Sequence, residues 1–125
     1  MLVDYHLHTV FSRHAVGTVD QYVSRAEELG IEEVCFTEHI SRQYMTEEIR
    51  NQLAEPWMRE HELPDYFELL RAAAAKTSIA VLWGLEADYM DTCEEALRDL
   101  LESLPLDFVL GTIHFLPAYE MRYLS

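Results

Sequence analysis

Positive charge is scarce in this sequence: nine lysines and arginines stand against twenty-three aspartates and glutamates, a formal net charge of −14 over 125 residues. Nucleic-acid binders draw most of their affinity from cationic contacts with phosphate, so this balance argues against a DNA or RNA partner. A small phosphate ester is not excluded, because bound metal ions can reverse the sign of the local field. Long apolar runs are missing too. None approaches the roughly 20 residues that span a bilayer, and the opening MLVDYHLHTV has neither a basic leader nor a cleavage site. The expectation is a cytoplasmic protein with no membrane partner. Cysteine is limited to Cys35, inside an apolar run, and Cys93, near a helix start. That placement suggests packing and not a disulfide framework. Low-complexity tracts, linkers and close repeats are absent as well, and the chain is one domain at most, with half its residues hydrophobic.

What is present is an alternation of strand-like and helix-like segments. Leu2–Leu7 reads as a short strand. Thr18 opens a helix with Gln21 completing a capping box, an apolar face through Val19, Tyr22, Val23, Ala26 and Leu29, and Gly30 as the stop. Val34–Thr37 is a second strand. A short helix is expected from Thr46 to Ala54, ended by Pro56, and a longer one from about Pro64, burying Tyr66, Phe67, Leu69, Leu70 and Ala73. Ile79–Leu85 reads as the third strand. Thr92 and Glu95 are expected to form another capping box, for a helix carrying Ala96, Leu97, Leu100, Leu101 and Leu104 and stopped by Pro105. Phe108–Ile113 is the fourth strand. The order βαβαβαβ implies an α/β fold of parallel strands joined by helical crossovers.

Histidine and glutamate fall where those strands end. His6 and His8 close the first strand and His14 lies in the loop after it. His39 follows the second, Glu86 ends the third and His114 ends the fourth. In a parallel β/α barrel the carboxyl ends of the strands share one face, so these six residues should converge. Alternate residues of a strand point the same way, which lets His6 and His8 face one ion. Imidazole suits zinc, iron or manganese, and a carboxylate can bridge two cations. Each residue alone has an ordinary explanation: His39 as a satisfied buried histidine, Glu86 as an ion-pair partner. Six at matching positions are better explained as metal ligands. His61, in a charged segment, reads as solvated surface. Arg42 and Arg59 lie in the stretch expected over the mouth of the site, where either could grip a substrate phosphate or stay a solvated arginine.

The ordered segments D-Y-H-L-H-T, F-S-R-H-A, F-T-E-H, G-L-E-A-D-Y and G-T-I-H-F-L are similar to the motifs of the polymerase-and-histidinol-phosphatase (PHP) superfamily. The stretch before G-L-E-A-D-Y, with W-M followed by E-L-P-D-Y-F, resembles the histidinol-phosphatase branch. The resemblance implies the N-terminal part, about four βα units, of a distorted seven-stranded β/α (TIM-like) barrel, so that residues 1–125 form a partial PHP domain. It implies up to three divalent metal ions. His6 and His8 would bind the first, Glu86 would bridge it to the second, His114 would serve the second, and His14 and His39 the third. The implied reaction is hydrolysis of L-histidinol phosphate to L-histidinol and phosphate in histidine biosynthesis. Residues alone carry the assignment as far as a metal-dependent phosphoesterase and identify no general acid. The alternatives are another small phosphate ester or nucleotide as substrate, and a non-catalytic module that keeps the fold.

A single-chain barrel of this kind needs about 200–250 residues. The later histidine of a G-H motif and the aspartate and histidine of a D-A-H motif have no counterpart here. By resemblance each metal would lack one protein ligand, and the 125-residue chain alone is expected to be inactive or nearly so. A fragment, a shortened gene product, or a half that associates with another polypeptide would each look like this. An open barrel edge could also pair two copies.

Overall fold

A computed structural model describes residues 1–53 and 57–114. Its strands are β1 (Val3–Leu7), β2 (Glu33–His39), β3 (Ala80–Asp88) and β4 (Phe108–Thr112). The helices are α1 (Val19–Glu28), α2 (Glu47–Gln52), α3 (Leu63–Ala74) and α4 (Glu94–Glu102), with short 3-10 turns at Val10–Ser12, Arg42–Tyr44, Glu60–Glu62 and Asp91–Cys93. The sheet runs β1-β2-β3-β4 with every neighbouring pair parallel. This is the parallel α/β arrangement that the alternation predicts, in the arc of a TIM-like barrel that the PHP resemblance implies.

The sheet is strongly curled. Tyr5 on β1 and Phe108 on β4, three strands apart, bring their ring centroids within 5.2 Å. Gly84 permits the curl: a Cβ there would lie 2.7 Å from Cys35 Sγ and 3.0 Å from the carbonyl oxygens of Phe36 and Phe108. A side chain cannot fit where backbones approach this closely. The other face of the sheet packs on the helices through Val34, Phe36 and Leu85, which join Val23, Ala26, Tyr66, Leu70 and Leu97 in one apolar core. Val3 and Val109, on the two edge strands among the described residues, stay 40% and 38% exposed.

Local chemistry explains most of the elements. Thr18 accepts from the Gln21 backbone and Gln21 returns the bond to Thr18 N, the expected capping box, and Gly30 at φ 72° lets the chain leave α1. Thr46 caps α2 through Ile49 N. Pro64 sits in the first turn of α3, where its missing N–H has no helical partner to lose. The expected end of α2 at Ala54 and Pro56 lies outside the described residues.

Some expectations need correction. No capping box forms at Thr92. That residue lies inside the Asp91–Cys93 turn, its hydroxyl faces Cys93 Sγ at 3.7 Å, and α4 starts at Glu94. The shift arises because β3 runs on to Asp88, so a tight turn must reverse the chain before the helix can begin. Leu104 falls beyond α4, although it packs on the core. Leu69, expected on the buried face of α3, is 43% exposed, because Tyr66, Leu70 and Ala73 already occupy the stripe facing the sheet. Cys35 and Cys93 are both buried and free. No described helix is long and apolar enough to cross a membrane.

Candidate metal centre

The carboxyl ends of the strands carry the chemistry. In the β2–β3 ladder His39 pairs with Glu86, so parallel register alone sets the two side by side. On β1 the register slips between Asp4 and Leu7, at the point where His6 emerges. His14 is delivered by a tight loop. Thr9 caps the turn at Val10–Ser12, Arg13 adopts a left-handed φ of 63°, and Ser12 Oγ accepts from the His14 and Ala15 N–H groups. The Arg13 guanidinium pairs with Glu62 at 2.6 Å. His114 follows β4 by two residues.

All six residues expected as ligands meet in one cluster. Their donor atoms form three sets, each with mutual distances within 4.8 Å: His6, His8 and Glu86; His39, Glu86 and His114; and His8, His14 and His39. Glu86 is the hub. Its Oε2 lies 3.1 Å from His8 Nε2, 3.4 Å from His6 Nε2 and 3.2 Å from His39 Nδ1, and its Oε1 lies 3.6 Å from His114 Nε2. His6 Nε2 and His8 Nε2 face each other at 3.2 Å, as do His14 Nε2 and His39 Nε2 at 2.9 Å. His39 Nδ1 is buried and, although close to Glu86, makes no hydrogen bond among the described residues. Lone pairs converging on one another and on a buried carboxylate form a donor set that fits divalent cations.

Electrostatics agree with that fit. Burial pulls the His39 pKa down to about 4, which keeps its ring neutral as ligation requires. For Glu86 burial acts to raise the pKa, but the hydrogen bond from His8 and the surrounding imidazoles outweigh it and hold the carboxyl at about 2. Burial likewise opposes a charged His8, yet hydrogen bonds to Glu38 and Glu86 push its pKa up to about 9.

Several residues of the centre escaped the sequence reading. Glu38 is fully buried and takes Thr9 N and His39 N, each at 2.8 Å, the Thr9 hydroxyl, and His8 Nδ1 at 3.2 Å. Burial works to raise its pKa, but these bonds hold it below the ordinary carboxylate range. Asp88 Oδ1 lies 2.5 Å from His114 Nδ1. Burial raises the Asp88 pKa against the attraction of His114. Trp57, 3% exposed, stacks on His39 with centroids 4.3 Å apart and planes 8° from parallel. Their positions inside F-T-E-H and G-L-E-A-D-Y are the signal that could have flagged Glu38 and Asp88, as the W-M segment is for Trp57.

The two arginines part ways. Arg42 lies 4.1 Å above the Trp57 ring, on a pile that continues to His39. Arg59 is exposed, at the start of the Glu60–Glu62 turn, with its backbone N bonded to Glu62. Both line one shallow pocket with Arg50 and Met58. His61 is exposed, away from the cluster, as expected.

A curled parallel β/α sheet with imidazoles and a shared carboxylate at its carboxyl ends defines the arc of a TIM-like barrel with a candidate metal centre. The chain belongs to the PHP domain family, which it matches over residues 4–124. It is 31% identical over 121 residues to a Deinococcus radiodurans protein called "Probable histidinol-phosphatase", covering 94% of this chain and 44% of that one. It is 30% identical over 114 residues to the histidinol-phosphatase of Lactococcus lactis subsp. lactis, covering 90% and 39%. The crystal structure of histidinol phosphate phosphatase from that organism, complexed with zinc, L-histidinol and phosphate, superposes with a TM-score of 0.77 at 27% identity, covering 93% of this chain and 41% of the other. The chain therefore spans about two fifths of the length of the curated relatives it matches.

Proposed function

We propose that this chain carries the metal-binding part of a phosphomonoesterase site that hydrolyses L-histidinol phosphate to L-histidinol and phosphate. The observation that carries the reading is the convergence of four imidazoles on the buried, ionised Glu86, with His14 joined to them through His8 and His39. The likeness to a structure that holds zinc, L-histidinol and phosphate supports the choice of substrate.

In this reading His6 and His8 would hold one divalent ion, Glu86 would be shared with a second served by His114, and His14 and His39 would hold a third. His8 and His39 each fall in two of the three ligand sets. Since His8 Nδ1 is engaged by Glu38, that ring has one nitrogen to give and serves one ion at a time. When bound, zinc, manganese or iron supplies Lewis acidity toward the phosphoryl group and neutralises its charge. The protein's own part is positioning and shielding. Trp57 covers one face of His39 and excludes water from it, while His6, with a side chain 55% exposed, leaves the other flank open to substrate. Arg42 and Arg59, with Arg50 beside them, place guanidinium groups near the mouth to grip the phosphate dianion.

The test is phosphate release from a panel of esters by the zinc- or manganese-loaded protein, with the Lactococcus lactis enzyme as reference. Any release by the chain should favour L-histidinol phosphate over nucleoside monophosphates and be lost with a chelator and in His8→Ala; no release, beside turnover by the reference enzyme, marks the chain as an incomplete half and leaves the metal centre standing. Preference for another ester would overturn the substrate. A protein that takes up no metal would overturn the centre.

A further inference from the structure

We propose that Glu38 and Asp88 are positioning residues that decide which nitrogen of two ligand histidines meets the metal. Each holds a proton on Nδ1, of His8 and of His114 respectively, so that Nε2 is left as the ligand atom. The inference rests on the metal centre described above and extends it to two carboxylates that bind no ion themselves.

The geometry is the same on both sides of Glu86. His8 turns Nδ1 to Glu38 at 3.2 Å and Nε2 to Glu86 Oε2 at 3.1 Å. His114 turns Nδ1 to Asp88 at 2.5 Å and Nε2 to Glu86 Oε1 at 3.6 Å. In each ring the far nitrogen is tied to a carboxylate outside the cluster and the near one faces the hub. Glu38 can only accept from His8. Its oxygens already take N–H groups from Thr9 and His39 and a hydroxyl from Thr9, so it carries no proton to give. The bond must run from Nδ1–H to the carboxylate. A histidine that donates Nδ1–H has a lone pair only on Nε2, and the carboxylate makes that nitrogen more basic.

Both carboxylates are rigidly placed. Glu38 and Asp88 are fully buried, at the ends of the two central strands. Tyr44, on the turn after β2, donates its hydroxyl to the Asp88 carbonyl at 2.7 Å and fixes the end of β3. His114 N also bonds Asp88 Oδ1, at 3.2 Å, so backbone and ring of that residue share one anchor. Glu38 is surrounded by donors alone. A glutamine in its place would turn an amide NH2 toward one pair of them.

Two measurements on the 125-residue chain test the assignment. In the zinc-loaded wild type, long-range proton–nitrogen correlation spectra should show His8 and His114 protonated on Nδ1 and metal-bound through Nε2. In competition with a chromophoric chelator, Glu38→Gln and Asp88→Ala should each weaken zinc binding by about 10- to 100-fold, with far-ultraviolet circular dichroism unchanged. Asp88→Asn keeps an acceptor for His114 Nδ1 and should restore most of the affinity lost in Asp88→Ala. If Glu38→Gln does not fold, the wild-type spectra and the Asp88 pair still decide. Metal on Nδ1 of either ring, or wild-type affinity in Asp88→Ala, overturns the proposal and leaves the centre standing. A wild-type chain that takes up no zinc overturns the centre, and this assignment with it.

Discussion

Tyr66 shows how much a single polar atom does beneath this site. The residue is wholly buried on α3, and its hydroxyl shares its proton between the carbonyls of Phe36 at 2.9 Å and Gly84 at 2.8 Å, on neighbouring strands. The same oxygen faces Glu38 N at 3.4 Å. Tyr66→Phe keeps the ring packing but leaves buried acceptors unpaired, and it should cost about 1–3 kcal/mol. Urea denaturation measures this, and a midpoint equal to wild type would contradict it. The apolar pattern of α3 identified Tyr66 as core. Nothing in the pattern showed that its hydroxyl pins the strands carrying His39 and Glu86. Glu38 and Asp88 were hidden for a related reason: a buried carboxylate and an exposed one look alike until the partners that neutralise it are known.

Among the helices, two sites that look alike as sequence behave differently as structure. Thr18 and Thr92 each precede a Gln or Glu by three residues. Only Thr18 is an N-cap with the reciprocal bonds. Thr18→Ala should therefore lower stability by about 1 kcal/mol. Thr92→Ala, with no cap bond to lose, should stay within about 0.5 kcal/mol of wild type. Equal losses in thermal melts of the two variants would contradict the assignment of α4 to start at Glu94. The alternation of elements was legible because a strand and a helix bury side chains with different periods. Element ends were less so. The extra residues of β3 past Leu85 come from pairing of Glu86 with both β2 and β4 and of Ala87 and Asp88 with β4, which rewards extension that local pattern does not reveal.

For the molecule as a whole, the centre couples folding to metal and to pH. Ligands from β1, β2 and β3 and from the segments after β1 and β4 are held together only in the folded chain, so an ion bound there stabilises it. Zinc at 100 times its dissociation constant should add about 2.7 kcal/mol, seen as a rise in melting temperature that a chelator reverses. The pH dependence has a definite sign. His8 titrates at about 9 without metal, so at neutral pH zinc must displace a proton from it. Apparent affinity should rise between about pH 6 and pH 8, by up to about tenfold per pH unit for one displaced proton. A flat or falling profile would contradict it. Without metal, Glu86 works the other way: its carboxyl is held at about 2 against an ordinary 4.5. Its contribution to stability is complete above the ordinary value and fades as pH falls toward 2.

The order of residues was enough to predict the parallel βαβ alternation, the capping of α1 and the convergence of six histidine and glutamate candidates, because each depends on periodicity or on position relative to a strand end. It was not enough to show the curl that brings Tyr5 to Phe108, the glycine that permits it, or the pile of Arg42 on Trp57 on His39. Nor did it show that Glu38 and Asp88 stand behind His8 and His114. Those are contacts between residues distant in sequence, set by how strands register and sheets bend, and side-chain chemistry alone carries no record of them.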